Sequence, residues 1–293
     1  MKGFGEGKQG RYRAESDASA PWECPSFSRL MNGNKLMPVL FVGHGSPMNA
    51  IEDNAFGRGW ARVARTLPKP KAILCVSAHW ETAGVQVTAM EHPRTIHDFG
   101  GFPEELYQVQ YPAPGSPELA RQVAGFVSGA KLDKGWGLDH GCWVVLSRMF
   151  PDADVPVVQL SLDYDAEPKR HFEIGAQLAP LRREGVLVVA SGNIVHNLGM
   201  MELRGDDFNE PFGFDWAVEA DRKFRALATK RSYKELFDYQ SLGRPAQLAV
   251  PTPEHYLPML YILALRGEDE PLKWFNDQPV AGSLTMTSFV VGA

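Results

Sequence analysis

Four short runs in this chain are apolar at nearly every position: Met37–Val42, Lys71–Ser77, Val155–Leu160 and Val186–Ala190. A strand with one wet face alternates apolar and polar side chains, whereas a strand covered on both faces does not. Such runs require a largely parallel sheet with helices packed against both sides. The intervening segments supply those helices. Ala55–Thr66 carries Phe56, Trp60, Val63 and Ala64 at near-helical spacing, and Glu118–Ser128 carries Leu119, Val123, Phe126 and Val127 on one face. Lys169–Arg183 reads as a helix, as does Phe214–Lys230 with Ala217, Ala220, Phe224 and Leu227 inward. Another helix opens at Gly137–Gly141 and continues through Trp143, Val144 and Leu146. The last carries Leu257, Leu260, Tyr261, Ala264 and Leu265, with Pro258 in its first turn, where a missing N–H costs nothing. Gly84–Met90 and Ser283–Val291 alternate, the first suiting a strand near an edge. This order predicts an α/β fold, a single domain whose mixed, mostly parallel central sheet is flanked by helices.

Residues 1–36 differ in kind. They are rich in Gly, Ser, Lys and Arg and lack the apolar centre of a secretory signal. We read 1–36 as a flexible N-terminal extension and 37–293 as the folded catalytic domain. A net charge of −5 offers no basic footprint for nucleic acid. No apolar run approaches the roughly 18 residues of a membrane span. Cys24, Cys75 and Cys142 are too few and too scattered for a disulfide framework or a thiolate zinc finger. They suit a reducing compartment, and a cytoplasmic location is expected.

The chemistry lies in the histidines. His44 stands in Gly43-His44-Gly45-Ser46, His79 in Ser77-Ala78-His79-Trp80, His196 in Ile194-Val195-His196-Asn197 and His255 in Pro253-Glu254-His255-Tyr256. Three of the four follow an apolar run by a few residues. In an open α/β sheet the loops after the strands gather at one edge, where ligands bind. Imidazole is the commonest metal ligand and a natural base near neutral pH. Four of them meeting from distant segments suggest a mononuclear metal site. His44 and His79 are read as ligands. The third is His255 or Glu254, the latter completing the two-His, one-carboxylate set of non-haem Fe(II) sites. His196 is a fourth ligand or a general base. His140 is a second acid/base candidate, with Asp139 beside it to orient the ring. His97, in the glycine-rich loop, is placed to reach substrate, and Trp80 to wall the pocket. His92 and His171 read as surface residues. Ser46 and Ser191 lack the G-x-S-x-G context of a hydrolase nucleophile, and Gly43–Ser46 lacks the Gly-Lys-Ser/Thr of a phosphate loop.

Seven motifs in order carry a resemblance: GHGSPM (Gly43–Met48), SAHW (Ser77–Trp80), TIHDFGGFP (Thr95–Pro103), YPAPGSP (Tyr111–Pro117), DHGCW (Asp139–Trp143), ASGNIVHN (Ala190–Asn197) and PTPEHYLP (Pro251–Pro258). Together they resemble the class III extradiol ring-cleavage dioxygenases, in the branch that acts on DOPA. The resemblance implies one α/β domain with a mononuclear metal, cleaving a catechol ring beside its two hydroxyls with both atoms of O₂ incorporated. It implies His44, His79 and His255 as metal ligands, and His196 as a further ligand or the base that takes a catechol proton. It makes His140 an acid/base at the substrate edge. Trp80, His97, Phe99, Phe102 and Tyr111 would then line the substrate. Zn(II) has a closed d shell and cannot pass electrons to O₂. Activity is therefore expected with Fe(II), while Zn(II) is able to occupy the site as purified. The expected partners are a small catechol and O₂, with no nucleic acid and no membrane. The rival readings are a zinc hydrolase using metal-bound water on the same site and a tetrapyrrole metal chelatase, an enzyme class in which GHGS also occurs.

Overall fold

The computed structural model describes residues 36–205 and 207–293. The extension expected over 1–36 lies, Leu36 apart, outside the described residues. In chain order the elements are β1 (Val39–Gly43), α1 (Ala55–Ala64), β2 (Ala72–Thr82), β3 (Gln86–Thr88), α2 (Glu104–Tyr107), α3 (Pro117–Phe126), β4 (Lys131–Asp133), α4 (His140–Met149), β5 (Val157–Asp163) and α5 (Pro168–Gln177). Then follow β6 (Val186–Gly192), α6 (Asp215–Lys230), α7 (Tyr233–Phe237), α8 (Arg244–Ala249), α9 (Leu257–Ala264), β7 (Leu272–Phe275), β8 (Pro279–Val280), β9 (Leu284–Thr285) and β10 (Ser288–Val291).

The four apolar runs become β1, β2, β5 and β6, and they pair in parallel as β5-β2-β6-β1 at the centre of an eight-stranded sheet. Antiparallel pairs flank this centre, β3 on β5 and β10 on β1, with β7 antiparallel to β10 at one edge. Side chains alternate between two layers, as strand geometry demands. On β1, Val39 and Phe41 join the layer that holds Ile174 of α5, Phe224 of α6 and Leu260 of α9. Leu40 and Val42 join the opposite layer, with Trp60 of α1 and Trp143 of α4. Both faces of the parallel centre are thus dry, which is why its strands carry no polar alternation.

Several expectations need correction. The helix expected over 169–183 ends at Gln177, and Ala179–Arg183 is a tighter 3₁₀ turn. Pro180 accounts for the break, since it lacks the N–H that would continue the ladder. β2 does not stop at Ser77 but runs on to Thr82, and its register with β5 shifts between Val76 and Glu81. His79 therefore sits within an irregular strand rather than after one. The alternating run near residue 290 is two strands, β9 and β10. His171 is not on the surface: it is fully buried on α5, with Nδ1 3.0 Å from the hydroxyl of Tyr261 on α9. Among the described residues no helix is long and apolar enough to cross a membrane. Cys75 and Cys142 are both buried and unpaired.

Candidate metal centre

Parallel strands deliver their carboxyl ends to one edge, and the histidines follow. His44 is the first residue beyond β1, and its N–H donates to the Gly192 carbonyl at 3.1 Å, extending the β1–β6 pairing by one residue. His79 projects from the irregular part of β2. His255 precedes α9, and its carbonyl accepts the Asn193 N–H at 2.8 Å, which ties this turn to the end of β6. His196 is fixed by its N–H to the Ala249 carbonyl at 2.9 Å. Two glycines make these approaches possible. A Cβ on Gly192 would lie 2.2 Å from the His255 carbonyl oxygen, and one on Gly141 would lie 2.8 Å from the His79 ring.

The ring centres of His44, His79 and His255 stand 4.9, 5.0 and 5.2 Å apart, close to an equilateral triangle. Imidazoles that each put a nitrogen about 2.1 Å from one ion, at ligand angles of about 90–110°, have ring centres roughly 4.5–5.2 Å apart. The spacing therefore fits a shared cation. The outer nitrogen of each ring meets an acceptor. His44 Nδ1 lies 2.9 Å from Ser191 Oγ, whose own proton goes to the Gly141 carbonyl at 2.5 Å. His255 Nδ1 lies 3.0 Å from Glu254 Oε1, and His79 Nδ1 lies 3.4 Å from Asp98 Oδ2. The hydrogen bonds of His44 and His255 favour a proton on Nδ1 and leave Nε2 bare, the usual arrangement behind a metal-binding imidazole, and the Asp98 charge attracts the same edge of His79. The Nε2 atoms of His44 and His79 face each other at 3.1 Å, a separation that two nitrogens bound to one cation would also show.

The surroundings keep these rings neutral. Burial, reinforced by His79 and His255, holds His44 well below its ordinary value, and burial with His196 does the same to His255. Burial and the neighbouring His140 lower His79 to about 3. Burial lowers His196 to about 4, against an opposing pull from Glu254. Unprotonated imidazoles are ready either to bind a cation or to accept a proton.

Candidate ligand atoms form two abutting sets, His44 with His79 and His140, and His196 with Glu254 and His255. His196 stacks flat on His255 with ring centres 3.5 Å apart, and His140 leans on His79 at 3.8 Å. The aromatic residues divide. Phe99 meets His140 edge-on at 5.5 Å and packs on Phe102. Trp80 instead stacks on Trp136, and Tyr111 is buried in the core with its hydroxyl donating to the Phe150 carbonyl at 3.0 Å. Tyr111, expected beside substrate, is thus a packing residue. His97 lies against Phe99 and Trp143, and its Nε2 is engaged by the Val109 carbonyl at 3.0 Å.

The partner expected for His140 also changes. Asp139 caps α4 through the Cys142 N–H and accepts bonds from Ser77 and Gln159, and burial lifts its carboxyl to about 6. The residue on His140 Nδ1 is Asp98, at 2.9 Å. Burial opposes ionisation of Asp98, but the bonds from His140 outweigh it and hold the carboxyl below its ordinary range. Sequence reasoning assigned no role to Asp98 or Ser191. The one signal for Asp98 was a carboxylate beside His97 in a loop of glycines and aromatics, Ile96 to Phe102.

Residues 38–291 match the family described as catalytic LigB subunit of aromatic ring-opening dioxygenase. The chain is 45% identical over 273 residues to an Escherichia coli K12 protein named 4,5-DOPA dioxygenase extradiol, covering 92% of this chain and 99% of that one. It is 36% identical over 265 residues to a Beta vulgaris protein of the same name, covering 87% and 97%. A crystal structure of an uncharacterized E. coli K12 protein aligns with TM-score 0.75 at 43% identity, over 87% of this chain and 99% of that one.

Proposed function

The chain belongs to the family of the catalytic LigB subunit of aromatic ring-opening dioxygenases and is an extradiol, ring-cleaving oxidoreductase, and on that premise we propose that it opens a DOPA-like catechol with Fe(II) held by His44, His79 and His255. The observation that carries this reading is the near-equilateral triangle of imidazoles, two buried and His79 half-buried, each with Nδ1 facing an acceptor. Fe(II) bound there supplies the electron path between catechol and O₂ that Zn(II) lacks. The protein's own groups do the rest. His196, neutral and stacked on His255, accepts a catechol hydroxyl proton. His140, whose Nδ1 is tied to Asp98, takes the second hydroxyl proton on Nε2 and returns it as the ring opens. Phe99 and Phe102 offer an aromatic face to the ring. Glu254 orients His255 rather than binding the ion itself. The buried thiols of Cys75 and Cys142 suit a reducing compartment, and we place the enzyme in the cytoplasm.

The test is O₂ uptake and formation of a yellow product with DOPA, caffeate and protocatechuate, after loading with Fe(II) or with Zn(II). Turnover with DOPA under Fe(II) alone is the expected result. Hydrolysis without O₂ consumption in the zinc-loaded protein would favour the hydrolase. Insertion of metal into a tetrapyrrole would favour the chelatase.

A further inference from the structure

Asp98 reaches the centre on a pinned segment of the loop between β3 and α2. The Ile96 N–H donates to the Leu138 carbonyl at 2.7 Å, and the Leu138 N–H to the Arg94 carbonyl at 2.8 Å. The Trp143 indole N–H donates to the Ile96 carbonyl at 2.8 Å. On this fixed backbone the Asp98 side chain is 18% exposed. Its Oδ1 accepts the His140 backbone N–H at 2.8 Å, and its Oδ2 faces His140 Nδ1 at 2.9 Å and His79 Nδ1 at 3.4 Å. An ionised carboxylate only accepts hydrogen bonds. It therefore steers His140 to the tautomer that carries hydrogen on Nδ1, while its charge attracts the Nδ1 edge of His79. Helix capping does not account for it, because α4 already has its cap in Asp139, whose Oδ1 accepts the Cys142 N–H at 3.1 Å.

We propose that Asp98 is a positioning residue for ring opening: one carboxylate that fixes the ring of the ligand His79 and the ring of the acid/base His140 against each other. It acts through the two imidazoles and touches no reacting atom. The constraint keeps the acid/base ring at a constant distance from the metal ligand, their ring centres being 3.8 Å apart. Replacing a carboxylate that orients a metal-binding imidazole typically costs about 10–100-fold in affinity or activity.

The kinetic part of this proposal rests on the ring-cleavage reading, and the structural part does not. In the Fe(II)-loaded full chain, Asp98→Asn keeps the side-chain size but can accept with one atom only. Its kcat for DOPA should fall about 10–100-fold, with KM within about threefold. Asp98→Glu should recover part of the loss, and Asp98→Ala none. An unchanged kcat, or a loss confined to KM, would overturn the assignment. Independently of turnover, ¹⁵N-detected NMR of the metal-free wild-type chain should find His140 with its proton on Nδ1. A proton on Nε2 would overturn the proposal even if the enzyme is active. A chain that consumed no O₂ with any catechol would remove the reaction, and the tautomer would still decide the positioning role.

Discussion

Each imidazole of the centre is told which nitrogen to present by a residue on its far side. That partner is Ser191 for His44, Glu254 for His255 and Asp98 for both His79 and His140. Among the described residues the His196 ring has no such partner, and it stacks flat on His255, which suits a group that trades a proton. His196→Ala should keep stoichiometric metal and lose about two to four decades of turnover. Loss of the metal itself, measured by elemental analysis, would make His196 a ligand. His171 offers a cleaner titration, remote from the centre. Its value falls from 6.5 to about 4 through burial. The folded state therefore resists a proton that the unfolded state accepts, and stability declines as pH drops from about 6.5 toward 4. Between pH 7.5 and 5 this one group accounts for about 2 kcal/mol. Urea titrations of wild type and His171→Gln should show the variant losing less over that interval, and equal losses would refute the claim. That His44, His79, His196 and His255 meet was legible in the sequence because three of the four follow apolar runs by a few residues. Ser191 and Asp98 were not, because the hydrogen bonds from His44 to Ser191 and from His140 to Asp98 span 147 and 42 residues and leave no local pattern. His171 was misplaced for a related reason: its helix reads as one amphipathic face, and only the packing of α9 onto α5 buries it.

The elements of the centre meet at distances that forbid side chains at two positions. On α4, a methyl at Gly141 would intrude 2.6 Å from Ser77 Oγ and 2.8 Å from the His79 ring, both movable groups. At the end of β6, a methyl at Gly192 would meet backbone at 2.2 Å. The two substitutions should therefore fail differently. Gly141→Ala should fold with little loss of melting temperature but bind metal at least about tenfold more weakly. Gly192→Ala should lose about 1–3 kcal/mol, the ordinary cost of overpacking a dense interior. Calorimetry and a competitive metal titration separate the two, and a Gly192→Ala protein as stable as wild type would contradict the close approach. At this scale the sequence was readable wherever burial was uniform. β1, β5 and β6 fall close to where their apolar runs predict. It was unreadable where pairing overrode pattern. β2 continues through His79 because β5 keeps bonding to it beyond the register shift. β4 and β7 are short edge strands whose mixed polarity gives no periodic signal. Tyr111 shows the same limit, since a loop aromatic has no period to say whether it faces core or cleft.

Across the whole molecule, the three proposed ligands come from β1, β2 and the turn before α9, so a bound ion would tie together segments more than 200 residues apart. A ligand that binds only the folded state adds stability by mass action, roughly 2.7 kcal/mol when its free concentration is a hundred times Kd. Stripping metal with a chelator should therefore lower the melting temperature by several degrees. The same chelator should leave His79→Ala unmoved, and an equal shift in both proteins would place the ion elsewhere. The sheet that carries these ligands has a further consequence, which concerns synthesis. β1 is made early, yet its neighbours on either side are β6 and β10, the second of which ends at Val291. A nascent chain on the ribosome must hold β1 and its imidazole unpaired through most of translation. The three imidazoles cannot meet around one cation until His255 has left the exit tunnel, so a metal ion meets a finished cradle or none.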